Sequence, residues 1–147
     1  MIHPYPTDYD GIIAGAPANY WTHLLLSAVA NLQATAGQQA TYIPPSKLPA
    51  IQAAALAACD ANDGVKDGVI ENPSLCRFDP AVLQCRGAES EHCLTAPQVQ
   101  ALKKLYEGTR SANGKLLFPG YSPGSEADPA GWRPFLKRSS PPNSRPK

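Results

Sequence analysis

Apolar residues recur along the chain in three helical patterns, separated by long stretches without a period. From Asn19 they fall at Trp21, Leu24, Leu25, Ala28, Val29 and Leu32, one face of a helix that should stop near Gly37. Ile43-Pro44-Pro45 reads as extended, because a residue before proline avoids the helical region. Ser46 is placed to cap a second helix through Ala58, whose alanine-rich interior favours that state. Thr95-Ala96-Pro97-Gln98 has the form of a capping box with proline in the first turn. It predicts a third helix with Val99, Leu102 and Leu105 or Tyr106 inward, ended by Gly108. Ahead of all three, Tyr9-Asp10-Gly11-Ile12-Ile13-Ala14-Gly15 reads as a short buried strand, followed by a turn at Gly15-Ala16-Pro17-Ala18. Residues 60–94 and 115–124 show no sustained period. One strand and three helices do not complete a parallel α/β sheet, so the pattern reads as part of something larger.

Composition changes this picture in two places. The 147 residues carry 13 Lys and Arg against 12 Asp and Glu, a net charge of +1. That balance argues against a strongly basic nucleic-acid binder and against an acidic solvating chain. Eleven Gly and sixteen Pro predict many turns and long irregular connections. The charge is uneven: residues 133–147 hold five basic groups and no acid, with too many prolines for a helix or strand. This segment is expected to be a disordered, basic, Pro-rich tail. No run of about 18 apolar residues is present, so no membrane span is expected. Met1-Ile2-His3-Pro4-Tyr5-Pro6 has neither a basic nor an apolar leader region, and no signal peptide is expected in it.

Cys59, Cys76, Cys85 and Cys93 lie within one 35-residue stretch and can pair in three ways. They form no Cys-x-x-Cys, and His92 merely adjoins Cys93, which argues against zinc. Clustering in a Gly/Pro-rich stretch favours disulfides in an oxidising compartment; four buried thiols would be the cytosolic alternative. The densest acid cluster runs Cys59-Asp60-Ala61-Asn62-Asp63-Gly64-Val65-Lys66-Asp67-Gly68-Val69-Ile70-Glu71. Three aspartates within eight residues repel unless neutralised, and two Asp-Gly turns can fold their oxygens inward around a hard cation such as calcium. Asp60 and Glu71 match the ends of an EF-hand loop, but Val65 stands where its glycine is required, so this is no EF-hand. A solvated pair of Asp-Gly turns accounts for the same residues.

Other candidate chemistry falls away. Gly120-Tyr121-Ser122-Pro123-Gly124 satisfies Gly-x-Ser-x-Gly, yet Pro123 has no N–H for an oxyanion hole, and no histidine follows Cys93. Ser122 is rejected as a nucleophile. His23 sits among apolar residues of the first helix, His92 follows Glu89 and Glu91, and neither these nor His3 has a catalytic partner in view. Phe118, Tyr121 and Trp132 are core or an aromatic-binding surface. No catalytic residue is assigned within the chain.

Tyr5-Pro6-Thr7-Asp8-Tyr9-Asp10-Gly11-Ile12-Ile13-Ala14-Gly15-Ala16-Pro17-Ala18 closely resembles the tannase and feruloyl esterase family. Ile43-Pro44-Pro45-Ser46-Lys47-Leu48, the 59–71 loop and residues 118–132 extend the resemblance over most of the chain. It implies a secreted or periplasmic serine ester hydrolase of aromatic-acid esters, with an α/β-hydrolase core and a large inserted lid. On that resemblance residues 1–18 are a remnant of the core, 19–132 a mainly helical, loop-rich lid with disulfides, and 133–147 the tail. The family's Gly-Cys-Ser-x-Gly-Gly elbow precedes the segment matching Tyr5 to Ala18, and its Asp and His lie beyond the lid. Nothing in this chain corresponds to them, so a fragment inactive alone is expected, and a truncated reading frame would explain both ends. The resemblance further implies calcium held by Asp60, Asp63 and Asp67 with main-chain oxygens of Val65 and Val69. It implies disulfides Cys59–Cys76 and Cys85–Cys93, and a substrate pocket built partly from residues 118–132. A non-catalytic, calcium-stabilised binding module is the alternative. The expected partner is a small aromatic ester, with neither nucleic acid nor membrane.

Overall fold

The computed structural model describes residues 20–129 together with 7, 8, 10, 11, 13, 15, 131 and 132. Three helices carry the fold: α1 (Trp21–Ala36), α2 (Leu48–Cys59) and α3 (Ala96–Glu107). A two-stranded antiparallel sheet follows, β1 (Thr109–Arg110) with β2 (Leu116–Phe118), in the register Thr109↔Phe118 and Arg110↔Leu116. Short 3-10 turns at Gln39–Thr41, Pro45–Lys47, Asp60–Asp63, Pro73–Leu75 and Pro80–Leu83 fill much of the remainder. The basic tail and most of the first 19 residues lie outside the described residues.

The third helix forms as its sequence predicts. Gln98 N–H donates to Thr95 Oγ1 and Thr95 N–H to Gln98 Oε1, completing the capping box. Gly108, with φ 76°, ends the helix. The second helix starts later than Ser46. Pro44 and Pro45 hold the chain extended and then in a 3-10 turn, so α2 begins at Leu48 without a side-chain cap and runs one residue past Ala58. The hairpin was not foreseen in the 115–124 stretch, although Asn113-Gly114 is a turn dipeptide. There Ser111 N–H donates to Lys115 O and Gly114 takes φ 82°.

Residues 9, 12 and 14 of the expected strand at 9–15 lie outside the described residues. Of its described members, Asp10 and Gly15 are bends, and Gly11 and Ile13 belong to no strand. Ile13 is fully exposed. A strand needs a ladder partner, and among the described residues none is offered to this stretch.

The core gathers Ile43, Leu48, Ile51, Leu94, Val99, Leu102, Leu105 and Trp132, with Phe78, Leu83, Tyr106, Tyr121 and Ala127 packed against it. It belongs to α2, α3 and the irregular segments rather than to α1. That helix turns Ser27 and Thr35 inward and leaves Trp21, Leu25, Val29 and Leu32 about half exposed. Its 3.6-residue period is as read, but the apolar face points away from this core.

Two disulfides hold the irregular middle. Cys59–Cys76 ties the end of α2 to the segment after the acidic loop, and Cys85–Cys93 closes a shorter loop. Both are the pairs implied by the family resemblance. Loops of this length restrict the unfolded chain enough to contribute roughly 2–4 kcal/mol each. Beside the second bridge, Leu94 N–H donates to Leu83 O at 2.8 Å and Cys85 N–H to Leu94 O at 2.9 Å.

A polar network joins α2 to α3 at the start of both helices. Lys47 is buried, and its Nζ donates to Gln98 Oε1 (2.9 Å) and Glu89 Oε1 (2.7 Å). Gln98 Nε2 donates in turn to Tyr42 O (2.8 Å). The hydrogen bond from Lys47, then its charge, hold the Glu89 carboxyl below the ordinary glutamate range. A lowered carboxyl pKa means that this stabilisation is present above the ordinary value and lost as pH falls through the folded one. Glu89→Gln is expected to lower the urea midpoint at neutral pH and to flatten its fall between about pH 6 and about pH 3. Equilibrium unfolding of both proteins across that range checks it.

At the other end of α3 the backbones touch. A Cβ on Gly120 would stand 2.1 Å from Tyr106 O and 2.5 Å from Leu105 O, whereas one on Gly87 would meet nothing within 4 Å. Gly120→Ala is therefore expected to cost about 3 kcal/mol, and Gly87→Ala no more than about 0.5 kcal/mol. Urea denaturation of the two variants provides the comparison.

Candidate functional site

Two places bring polar or aromatic side chains together in a way that could carry chemistry. The first is the acidic loop that follows α2. Asp60 opens a 3-10 turn directly after Cys59, and its side chain is buried, with the residue 5% exposed. Both carboxylate oxygens accept from Gly68 N–H, at 3.1 and 3.2 Å, which closes the loop across eight residues. Inside it, Asp63 Oδ1 accepts from Val65 N–H (2.9 Å) and Asp67 Oδ1 from Val69 N–H (3.0 Å). These are two Asx turns, and Gly64 (φ 94°) and Gly68 (φ 85°) take the left-handed conformation that such Asp-Gly pairs use. Ile70 is buried and anchors the return, lying against Gly124.

The donor set of this loop is of hard oxygens, suited to calcium in kind. Asp63 and Asp67 each engage one oxygen in their own turn, Val65 and Val69 are exposed, and Asp60 spends its charge on a backbone N–H. Among the described residues no three His, Cys, Asp or Glu side chains converge as a ready metal cluster. The five positions named for calcium thus share one loop, closed by the bond from Gly68 N–H to Asp60.

The second place is a cavity of about 390 Å³ between the end of α3, the segment after Cys76 and residues 119–123. Phe78, Tyr106 and Tyr121 form its aromatic wall, with Arg77 and Ser122 among its polar lining. Phe78 meets Tyr106 edge-on with centroids 5.9 Å apart. Behind them Trp132 packs 5.1 Å from Tyr106 and 5.0 Å from Tyr121. Trp132 is itself buried, so it is core and supports the wall without lining the cavity.

A buried acid fixes this wall. Glu126 is 0% exposed, and its carboxylate accepts from Tyr106 Oη at 2.7 Å and from Gly124 N–H at 3.0 and 3.1 Å. Burial, and then the charge and hydrogen bond of Glu126, push the Tyr106 phenol far above its ordinary range. Tyr106 therefore stays protonated and remains a donor to the carboxylate. The segment's backbone is tied as well, since Tyr121 N–H donates to Leu105 O (2.9 Å) and Ala127 N–H to Gln52 Oε1 (2.8 Å).

This arrangement explains the Gly-x-Ser-x-Gly look-alike. Gly120 allows the chain to touch the end of α3, and Gly124, with φ 109°, allows it to turn against Ile70. Both glycines serve packing. Ser122 is exposed on the cavity rim, and no histidine lines that cavity among the described residues. His23 stands on α1 with its ring edge-on to Tyr20, centroids 6.1 Å apart. His92 is exposed in the Cys85–Cys93 loop, and His3 lies outside the described residues.

Arg77, Phe78, Tyr106 and Glu126 were not singled out as site residues in the sequence. Phe78 and Arg77 follow Cys76 in an aperiodic stretch, and the period of α3 marks Tyr106 only as an alternative to Leu105 on its inner face. Glu126 shares its stretch with Asp128, and no sequence signal marks which of the two acids is buried.

Known proteins resemble both the sequence and this architecture. A model of the tannase and feruloyl esterase family matches residues 1–136. An uncharacterized esterase of Xanthomonas campestris is 46% identical over 133 residues, covering 90% of this chain and 23% of that protein. A probable feruloyl esterase B-2 of Aspergillus flavus is 38% identical over 128 residues, covering 86% of this chain and 25% of that protein. The crystal structure of feruloyl esterase B from Aspergillus oryzae superposes with a TM-score of 0.78 at 32% identity, over 86% of this chain and 26% of that one. The chain thus spans about a quarter of the length of the relatives it matches. Because the family model takes in residues 1–136 of the 147, the chain, with its mostly helical body, two disulfides and small two-stranded sheet, belongs to the tannase and feruloyl esterase family.

Proposed function

We propose that this chain is the lid-bearing part of a carboxylic ester hydrolase acting on aromatic-acid esters. The observation that carries the reading is the superposition on feruloyl esterase B, which takes in nearly all of this chain and about a quarter of the enzyme. Residues 1–18 are then the end of an α/β-hydrolase core and 19–132 the lid, with 133–147 a tail beyond it. In the whole enzyme a serine outside this chain attacks the ester carbonyl, a histidine takes its proton, and an aspartate orients that histidine. Water then hydrolyses the acyl-enzyme.

The residues of this chain contribute binding rather than bond making. Phe78, Tyr106 and Tyr121 offer aromatic faces on which a phenolic ring can stack, worth about 0.5–1.5 kcal/mol per well-placed pair beyond the area buried. The Tyr106–Glu126 bond holds the middle of that wall in place, so the cavity is preformed. Arg77 supplies a positive charge at the lining for a phenolate or carbonyl oxygen.

Calcium belongs to the same proposal, as a structural ion. Asp60, Asp63 and Asp67, with the carbonyls of Val65 and Val69, would hold it, and its charge would relieve the repulsion among the three carboxylates. The two disulfides support an oxidising, secreted or periplasmic setting. No described helix is long and apolar enough to cross a membrane. A second reading, a non-catalytic binding module, draws on the self-contained core around α2 and α3.

Calcium at millimolar concentration is expected to raise the melting temperature by about 4–8 °C over the same protein in chelator. Asp60→Asn keeps an acceptor for Gly68 N–H yet removes the charge, and should abolish the difference. Equal melting curves for the native chain with and without calcium would dismiss the metal. Separately, the chain alone is expected to release no ferulate or gallate from their methyl esters in a chromatographic assay. Turnover that disappears in Ser122→Ala would overturn both the fragment reading and the rejection of Ser122.

A further inference from the structure

Helix α1 has two faces, and the apolar one is the face without a partner among the described residues. Its short inward residues Ser27 and Thr35 are buried, with the Thr35 hydroxyl turned back to Asn31 O at 2.8 Å. This face lets α1 lie close to α3 and the β1–β2 hairpin. On the outward side Trp21 (58% exposed), Leu25 (49%), Val29 (51%) and Leu32 (52%) form a stripe at i, i+4, i+8 and i+11. From Trp21 to Leu32 the stripe runs roughly 17 Å along the helix axis. A contiguous row of half-exposed large apolar side chains along one helix face marks an interface that the described residues do not cover.

We infer that the outward face of α1 seats this segment on the remaining three quarters of a feruloyl-esterase-length chain, which wraps α1 from the other side. Three observations select that occupant over a second copy of this chain. The relatives are about four times as long as the part that matches, so a body of the right kind exists to be covered. The stretch just before α1 is apolar enough for a buried strand, yet its described residues pair with none and Ile13 is bare. An occupant must therefore offer a sheet edge beside an apolar bed, and a second copy lacks a sheet edge of that extent among its described residues. The inference rests on membership of the family and extends the lid reading by naming the side chains that hold the lid in place.

The test compares two proteins. One is the native chain; the other is the Xanthomonas campestris esterase with residues 7–132 of this chain replacing its matching segment. Each is made with and without the pair Leu25→Glu and Val29→Glu, and with Gln33→Glu as an exposed polar control. In the native chain the pair is expected to leave the melting temperature and helical circular dichroism unchanged. In the chimera it is expected to lower the melting temperature by at least about 10 °C, since two charges then enter an apolar contact. The control should move neither protein. The inference is overturned if the pair is harmless in a folded chimera. It is equally overturned if the native chain is a dimer that the pair dissociates, or if the unsubstituted chimera fails to fold where its parent folds. A folded chimera that hydrolyses no aryl ester would instead count against the proposed activity and leave the interface standing.

Discussion

One buried side-chain amide, that of Gln98, joins three parts of the chain that are far apart in sequence. Its Oε1 accepts from Thr95 N–H and from Lys47 Nζ, and its Nε2 donates to Tyr42 O. The first bond starts α3, the second holds the turn that begins α2, and the third fixes the extended segment that delivers Ile43 to the core. A buried amide left without partners would cost several kcal/mol, so these segments are placed together or not at all. Lys47 makes the arrangement stricter, because a buried ammonium must keep both Gln98 and Glu89.

The opposite end of α3 is organised by a different device. Glu126 brings a carboxyl group into the interior, where the Tyr106 phenol and Gly124 N–H are its partners. Those two bonds, the contact at Gly120 and the bond from Tyr121 to Leu105 press residues 119–132 against the helix. The aromatic cavity is the outside of that joint. Its wall is set by the Tyr106–Glu126 bond together with those backbone contacts, and Trp132 braces it from within.

What could be read in advance divides along physical lines. The capping box of α3 was legible because its hydrogen bonds are local, between residues three apart. The Asp-Gly turns of the acidic loop were legible for the same reason. The period of α1 was legible too, but periodicity shows that a face will be buried and not what will bury it. Its large residues therefore point away from the core of this chain. The start of α2 moved because two prolines set the backbone before Ser46 could act as a cap. The cavity was illegible as a unit: Phe78, Tyr106 and Tyr121 come from three segments that only tertiary contacts bring together. Gly-x-Ser-x-Gly misleads in the opposite sense, since its glycines answer to close packing on α3 and Ile70.

The position of Glu89 inside the Cys85–Cys93 loop ties the polar hub to the oxidation state of the surroundings. With the bridge closed, a nine-residue ring presents the carboxylate to a lysine that has no aqueous alternative. Opening the bridge would enlarge the conformational space of that ring and dilute Glu89 around Lys47 without touching either residue. A thiol-rich medium would thus weaken the joint between α2 and α3 at a distance. The small loop acts as a latch that is set when the chain meets an oxidant.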